Sequence, residues 1–196
     1  MRRIIIAATA ALTLAAVSGV ARADVIDFSG LPSGDAGSPL ILPGATFSTA
    51  GGFNYVASET LCPSVAADTG ANCSLDLQVD FDAASSGISF TFLYNNNKII
   101  GADIGDVAIF NGANLLGTMD LLVLDDVDGK DLVTLNGFSG VTRLVISSTD
   151  FGGLGFDDFT FTPGAVPEPA TWALLIMGFM GSGVALRRRR ARPELP

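Results

Sequence analysis

The chain has 196 residues, two cysteines and no histidine. The missing histidine excludes Ser-His-Asp and Cys-His nucleophile systems and the histidine-based zinc and iron sites. Its formal charge of −9 conceals an asymmetry: Asp24 to Val166 holds eighteen acids against Lys98, Lys130 and Arg143, a net of −15 that repels nucleic acid and anionic headgroups.

Met1-Arg2-Arg3 is a basic start, Ile4 to Ala16 an apolar stretch, and Ala21-Arg22-Ala23 supplies small residues ahead of Asp24. This order predicts a secretory signal peptide over residues 1–23. Residues 24–165 then make one domain's length, enough to enclose a sizeable core. The mean hydropathy of +0.47 comes largely from the two apolar ends and does not mark this body as membrane-embedded.

Short apolar runs follow one another through the body. The first are Val25 to Phe28, a weak one near Ala45 to Thr49, and Phe53 to Ser58. Leu75, Leu77, Val79 and Phe81 alternate with polar residues, as do Ile88, Phe90, Phe92 and Tyr94, and Asn95-Asn96-Asn97 reads as a turn. Val107–Phe110, Leu115–Leu124, Leu132–Leu135, Val141–Ser147 and Phe156–Thr162 complete the series. No 3.6-residue apolar period persists for three turns, so the pattern predicts an all-β fold, an antiparallel β-sandwich or jelly roll. Gly51-Gly52 and Gly152-Gly153 read as turns, because neither pair opens a helix that could hold phosphate.

Between the strands lie the residues with chemistry. Cys62 and Cys73, an even count in an exported chain, predict a disulfide. Asp125 to Asp131 resembles a calcium loop but misses the EF-hand spacing: with Gly129 at position six, positions one and twelve are Leu124 and Leu135. A polar hairpin turn at Asp128-Gly129 is the first reading; a cation between Asp126 and Asp128 is the second, since close acids repel unless a cation intervenes. In the last strand Phe159 and Phe161 share a face and Phe156 falls out of phase. A bulge would bring all three inward and re-aim a carboxylate, making Asp157 with Asp27 a candidate structural calcium pair; otherwise Asp157 and Asp158 are two acids at an exposed strand start. Asn95 to Lys98 is either a plain loop or a contact for sugar hydroxyls. No pair among the eighteen acids is singled out by spacing, so no catalytic residue is assigned.

The tail has its own logic. Ala170 to Leu186 carries no charge. As a helix it would span roughly 25 Å, just enough for a thinned bilayer core. Trp172 suits one interface, and Arg187 to Arg190 with Arg192 suit the cytoplasmic side, which places the body outside. Pro167 and Pro169 fix φ and lack amide donors, so the helix starts after them. Gly178, Gly181 and Gly183 lower helix propensity within the span.

Pro167-Glu168-Pro169, Trp172, a glycine-bearing span and an arginine cluster, in that order over about residues 166–192, resemble the PEP-CTERM sorting signal. The resemblance implies an exported protein of a Gram-negative bacterium that makes exopolysaccharide. It implies processing by exosortase, a membrane-embedded enzyme, with Pro167, Glu168 and Pro169 as the recognition motif. It also implies an inner-membrane intermediate, then release to the cell surface or beyond. The opening Val25-Ile26-Asp27-Phe28 and the closing Gly155-Phe156-Asp157-Asp158-Phe159 are similar to strands of jelly-roll carbohydrate-binding modules, in which first and last strands pair and nearby carboxylates hold a structural calcium. The expectation is a non-catalytic surface or matrix protein associated with exopolysaccharide. Its alternatives are a carbohydrate-binding module and, third, a glycan-active enzyme; the aromatic platform such modules use for sugar rings is not evident, since the body offers only Tyr55 and Tyr94 beside its phenylalanines.

Overall fold

The computed structural model describes residues 22–65, 72–94, 99–124, 129–149, 152–164, 176–180 and 182. Its organising element is β7, Leu77–Leu93, seventeen residues long. The first part, Leu77 to Phe81, lies between β4 (Ala45–Thr49) and β11 (Val141–Ser148). The second part, Ser85 to Leu93, lies between β10 (Lys130–Thr134) and β12 (Gly155–Pro163). One strand therefore belongs to two sheets. Beyond β4 sits β3 (Leu40–Leu42), and beyond β11 sit β8 (Asp103–Asn111) and β9 (Asn114–Leu122). On the other side β12 pairs with β1 (Asp24–Ile26) and β6 (Thr60–Ser64), followed by β5 (Phe53–Ala57) and β2 (Gly34–Asp35). Every one of these pairings is antiparallel.

The two runs that read as separate strands are thus one. Small residues, Ala83 to Gly87, separate them, and the bend is absorbed without a turn. Gly87 takes φ +57, and the partner of β11 slips from Ser85 to Asp80 between Val141 and Arg143. Backbone bonds continue through the bend, from Asp82 N–H to Gly44 O and from Gly164 N–H to Ala84 O. A bulged, glycine-bearing strand can turn a corner this way.

The sandwich closes on phenylalanine. Phe47 of β4 meets Phe28 and Phe159 edge to face at 5.4 and 5.2 Å, although β4 and β12 are not hydrogen-bonded neighbours. Phe81 packs on Phe161 at 4.9 Å, and Phe90 stacks on Phe159 at 5.1 Å. Each such ring, fully buried, contributes about 1.5–3 kcal/mol through area alone. The faint run at Ala45 to Thr49 alternates buried and half-buried and is a full strand. β2, β3 and β6 carry no alternation to find. In β6, Thr-Leu-Cys-Pro-Ser, four consecutive residues are buried because it is enclosed on both sides.

One expectation is corrected. Asp128-Gly129 is not the turn of a hairpin, because the flanking strands pair elsewhere: β9 with β8, and β10 with β7. The link crosses from one sheet to the other. Gly129 nonetheless sits at φ +65, where glycine avoids a steric cost, and its carbonyl accepts from Tyr94 N–H. Asp126, Asp128, the triple asparagine, the predicted signal segment up to residue 21 and residues 165–175 lie outside the described residues. Residues 176–180 are helical, and among the described residues no helix is long and apolar enough to cross a membrane.

Candidate functional site

The predicted break in β12 is present. Asp157 pairs with Thr91 and Thr160 with Ser89, three steps on one strand against two on the other. Asp158 absorbs the extra residue at φ +51, and its N–H donates to Asp157 Oδ1 at 2.8 Å. Phe156, Phe159 and Phe161 are all buried as a result. The bulge turns Asp157 outward beside Asp27, whose own Oδ1 accepts from the Ser29 hydroxyl at 3.0 Å. Burial pushes the Asp157 carboxyl above its ordinary value, and the neighbouring charges of Asp158 and Asp27 push it the same way; amides of Asp158 and Phe28 oppose this in part.

Asp157 and Asp158 line a cleft of about 450 Å³ with Ser58, Thr60, Thr91 and Lys130. Its lining is mostly hydroxyls and carboxylates. Ser58 and Glu59, at φ +49 and +69, make the tight turn between β5 and β6 on its rim. With Asp158 they are the non-glycine residues at positive φ among the described residues, and all three sit at this one place. Positive φ at both central residues is what a two-residue hairpin turn requires, and at Asp158 it belongs to the bulge.

Asp131 also borders the cleft but faces the other way. It pairs with Phe92, so its side chain lies on the core side, whereas Asp157 pairs with Thr91. It is 6% exposed, and its Oδ2 accepts from the Tyr94 hydroxyl at 3.0 Å and from Leu124 N–H at 2.8 Å. Tyr94 is therefore an interior residue and not a sugar platform. The sequence signal for Asp131 was its position in an alternating strand, Lys130 to Thr134, at an inward-facing place. An aromatic missed by sequence reasoning is Phe110, half-buried on the outer face of β8 opposite Arg143, which is itself bonded to Asp80.

Cys62 and Cys73 form the expected disulfide, with Cα atoms 4.8 Å apart. The bridge anchors one corner of the cleft region. Cys73 forms a parallel bridge with Gly153, and its carbonyl accepts from Leu154 N–H at 3.0 Å. A Cβ at Gly153 would stand 2.0 Å from that carbonyl oxygen, so the approach requires glycine.

Asp27 and Asp157 thus lie near enough for their charges to repel each other. Among the described residues no group of three or more His, Cys, Asp or Glu could hold a metal. The remaining ligands of a calcium ion, which takes six to eight oxygens, would be backbone carbonyls, side-chain amide or hydroxyl oxygens, or water.

The sheet also has a direction. Asp24 pairs with Phe161, and Gly164 bonds to Ala84, so both ends of the domain leave one pole. Asp157, Leu93 and Lys130 lie at the opposite pole. Six residue steps along β12 lead from Asp157 to Pro163, roughly 20 Å of strand.

What leaves from the first pole is recognisable. Residues 165–190 match the PEP-CTERM protein-sorting motif. The PEP-CTERM match includes Pro167, Glu168 and Pro169. No curated protein matches the chain. Solved structures similar to it include a fucose-binding module of Streptococcus pneumoniae, 11% identical with a TM-score of 0.34, the match covering 62% of this chain and 73% of the module. Another is a carbohydrate-binding module from Cellvibrio mixtus lichenase 5A in complex with cellotriose, 11% identical with a TM-score of 0.31, covering 72% of this chain and 98% of that one. The lectin domain of lectinolysin, complexed with Lewis B antigen, is 9% identical with a TM-score of 0.35, over 74% and 93%.

Proposed function

We propose that this chain is a non-catalytic, exported protein of the cell surface or extracellular matrix, delivered through its PEP-CTERM tail and associated with exopolysaccharide. The observation that carries the reading is the match of residues 165–190 to the sorting motif. In this reading residues 1–23 are the signal peptide, 24–165 one jelly-roll domain, and 166–192 the sorting segment with a membrane helix over 170–186. The arginines after that helix stop translocation. Exosortase then cuts beyond Pro167-Glu168-Pro169 and releases the body.

Two features of the body support a glycan-facing role over catalysis. The hydroxyl-and-carboxylate cleft lies at the pole away from the tail, so a tethered domain presents it outward. Asp131 and Asp157 face opposite sides of their sheet, so this pair does not make the converging carboxylates of a glycosidase. A structural calcium between Asp27 and Asp157 belongs to the same proposal, supported by the mutual repulsion of the two carboxylates.

Mass spectrometry of the exported protein from its native host is the test for sorting. The expected mature form ends after the Pro-Glu-Pro motif, and Glu168→Ala blocks the cut while leaving insertion intact. A mature chain that keeps Arg187 to Arg190 would leave only a plain anchor. For the body, a glycan-binding screen with and without calcium is decisive: retention on the host's own polysaccharide is expected, and no retention on any glycan overturns that half.

A further inference from the structure

β9 is the long edge of the molecule. Among the described residues it pairs only with β8, while the other edges are short: two residues in β2, three in β3 and five in β10. Short edges template foreign strands poorly, and long ones are protected by charge, proline or bulges; β9 has one bulge, where Leu116 falls between the partners of Ile109 and Phe110, which leaves Gly117 to Leu122 as a regular edge. β9 has neither proline nor lysine, and its nine residues hold one charge, Asp120. Of the eleven large apolar side chains exposed on the described body, six lie on β9 or beside its end: Ile99, Ile100, Leu115, Leu116, Leu122 and Leu124.

The free backbone groups can be assigned. Val123 N–H donates to Ala102 O, and Val123 O accepts from Gly101 N–H, so the peptide groups of Val123 face β8. Strand geometry alternates, so those of Leu122, Asp120 and Thr118 face away, toward the open edge. The side chains of Leu116, Thr118, Asp120 and Leu122 share the outer face, since Leu121 and Val123 are buried.

We propose that β9 pairs antiparallel with β9 of a second copy about a two-fold axis at Met119, joining two sheets into one. The strand is self-complementary in that register. The Thr118 hydroxyl faces the carboxylate of Asp120 of the partner subunit, twice, and Leu122 and the bulged Leu116 flank that ladder on its outer face. Thr118 and Asp120 oppose each other as a hydrogen-bonded pair, as their free N–H and C=O groups require. A second copy fits better than a foreign strand because a two-fold pairing is satisfied by the same patch on both sides. It also brings together a long edge with one charge in nine residues, in a body that otherwise repels itself. The two Asp120 carboxylates are then diagonal neighbours at about 7–8 Å, close enough to weaken the contact at low salt.

Sedimentation of the mature protein exported by its host is the test, from low-micromolar to submillimolar concentration. The expected result is a monomer–dimer equilibrium that tightens with salt and, several-fold, with Asp120→Asn. Leu116→Lys combined with Leu122→Lys abolishes it; both positions are solvent-facing, and near-ultraviolet circular dichroism checks that the fold is kept. Met119→Cys gives a covalent dimer on mild oxidation, and Thr118→Cys does so less readily. A monomer at every concentration, a dimer indifferent to the double lysine variant, or equal cross-linking at both cysteines overturns the proposal.

Discussion

Phe47 and Phe159 touch edge to face at 5.2 Å across the interior, from strands that share no hydrogen bond. This contact, with Phe28 on Phe47 and the buried Asn54 side chain bonded to Thr49 and to the Phe47 carbonyl, joins the two sheets away from β7, where no backbone ladder does. Phe159 is its hub, since Phe28, Phe90 and Phe156 also meet its ring. Phe159→Ala is therefore expected to cost about 3–5 kcal/mol, while Phe110→Ala on the outer face costs under about 1.5 kcal/mol. Urea unfolding followed by far-ultraviolet circular dichroism measures both; similar costs for the two would contradict a sandwich centred on Phe159.

Asp157 sets a pH dependence with a definite sign. Its folded-state pKa lies above the ordinary aspartate value, chiefly through burial and then through Asp158 and Asp27. The folded state therefore holds the proton more tightly than the unfolded chain. Its contribution to stability is fully present below the unfolded pKa and is lost as pH rises through the folded one. Asp157→Asn keeps an oxygen for the Asp158 amide and removes the charge. It should stabilise the metal-free protein at neutral pH by a few tenths of a kcal/mol, solvent screening having reduced the effect, and the gain should vanish in acid. With millimolar calcium the sign should reverse if the proposed ion binds. Thermal unfolding between acid and neutral pH, with chelator or calcium, reads out both.

Removing the disulfide should be costly and local. The bridge closes a loop of eleven residues' separation, worth roughly 3 kcal/mol by loop-closure entropy. Cys62→Ser with Cys73→Ser is expected to lower stability by that order and to raise amide exchange at Leu154, whose N–H bonds to the Cys73 carbonyl. Exchange at Leu144, buried in the opposite sheet, should change only with global stability.

The buried Asp131 gives a sharp contrast between two substitutions. Tyr94→Phe removes the hydroxyl that donates to Oδ2 and leaves a carboxylate, 6% exposed, with one donor fewer. The expected cost is about 1–3 kcal/mol. Adding Asp131→Asn to Tyr94→Phe should recover part of it, because a neutral amide is cheaper to bury than a charge. A double-mutant cycle by chemical denaturation checks this; purely additive losses would show that the two side chains act independently.

Much of this was legible from residue order alone. The alternation from Leu75 onward and from Ile88 onward, the even cysteine pair, the phase break at Phe156 and the proline-acid-proline tail each follow from local chemistry. A period of two, an exported thiol pair and a basic stop after an apolar span need no knowledge of what lies across the fold. Tertiary structure decided the rest, because the deciding contacts are distant in sequence. Continuity of β7 depends on Gly44 and Gly164 bonding to its bend, thirty-eight and eighty residues away from Asp82 and Ala84 respectively. The cross-over after Leu122 depends on which partner each strand finds, and β6 exists because β5 and β12 enclose it. Tyr94 belongs to the apolar side of its run and Asp131 to an inward-facing place in its own, but only the pairing of β7 with β10 brings the two together as a buried pair.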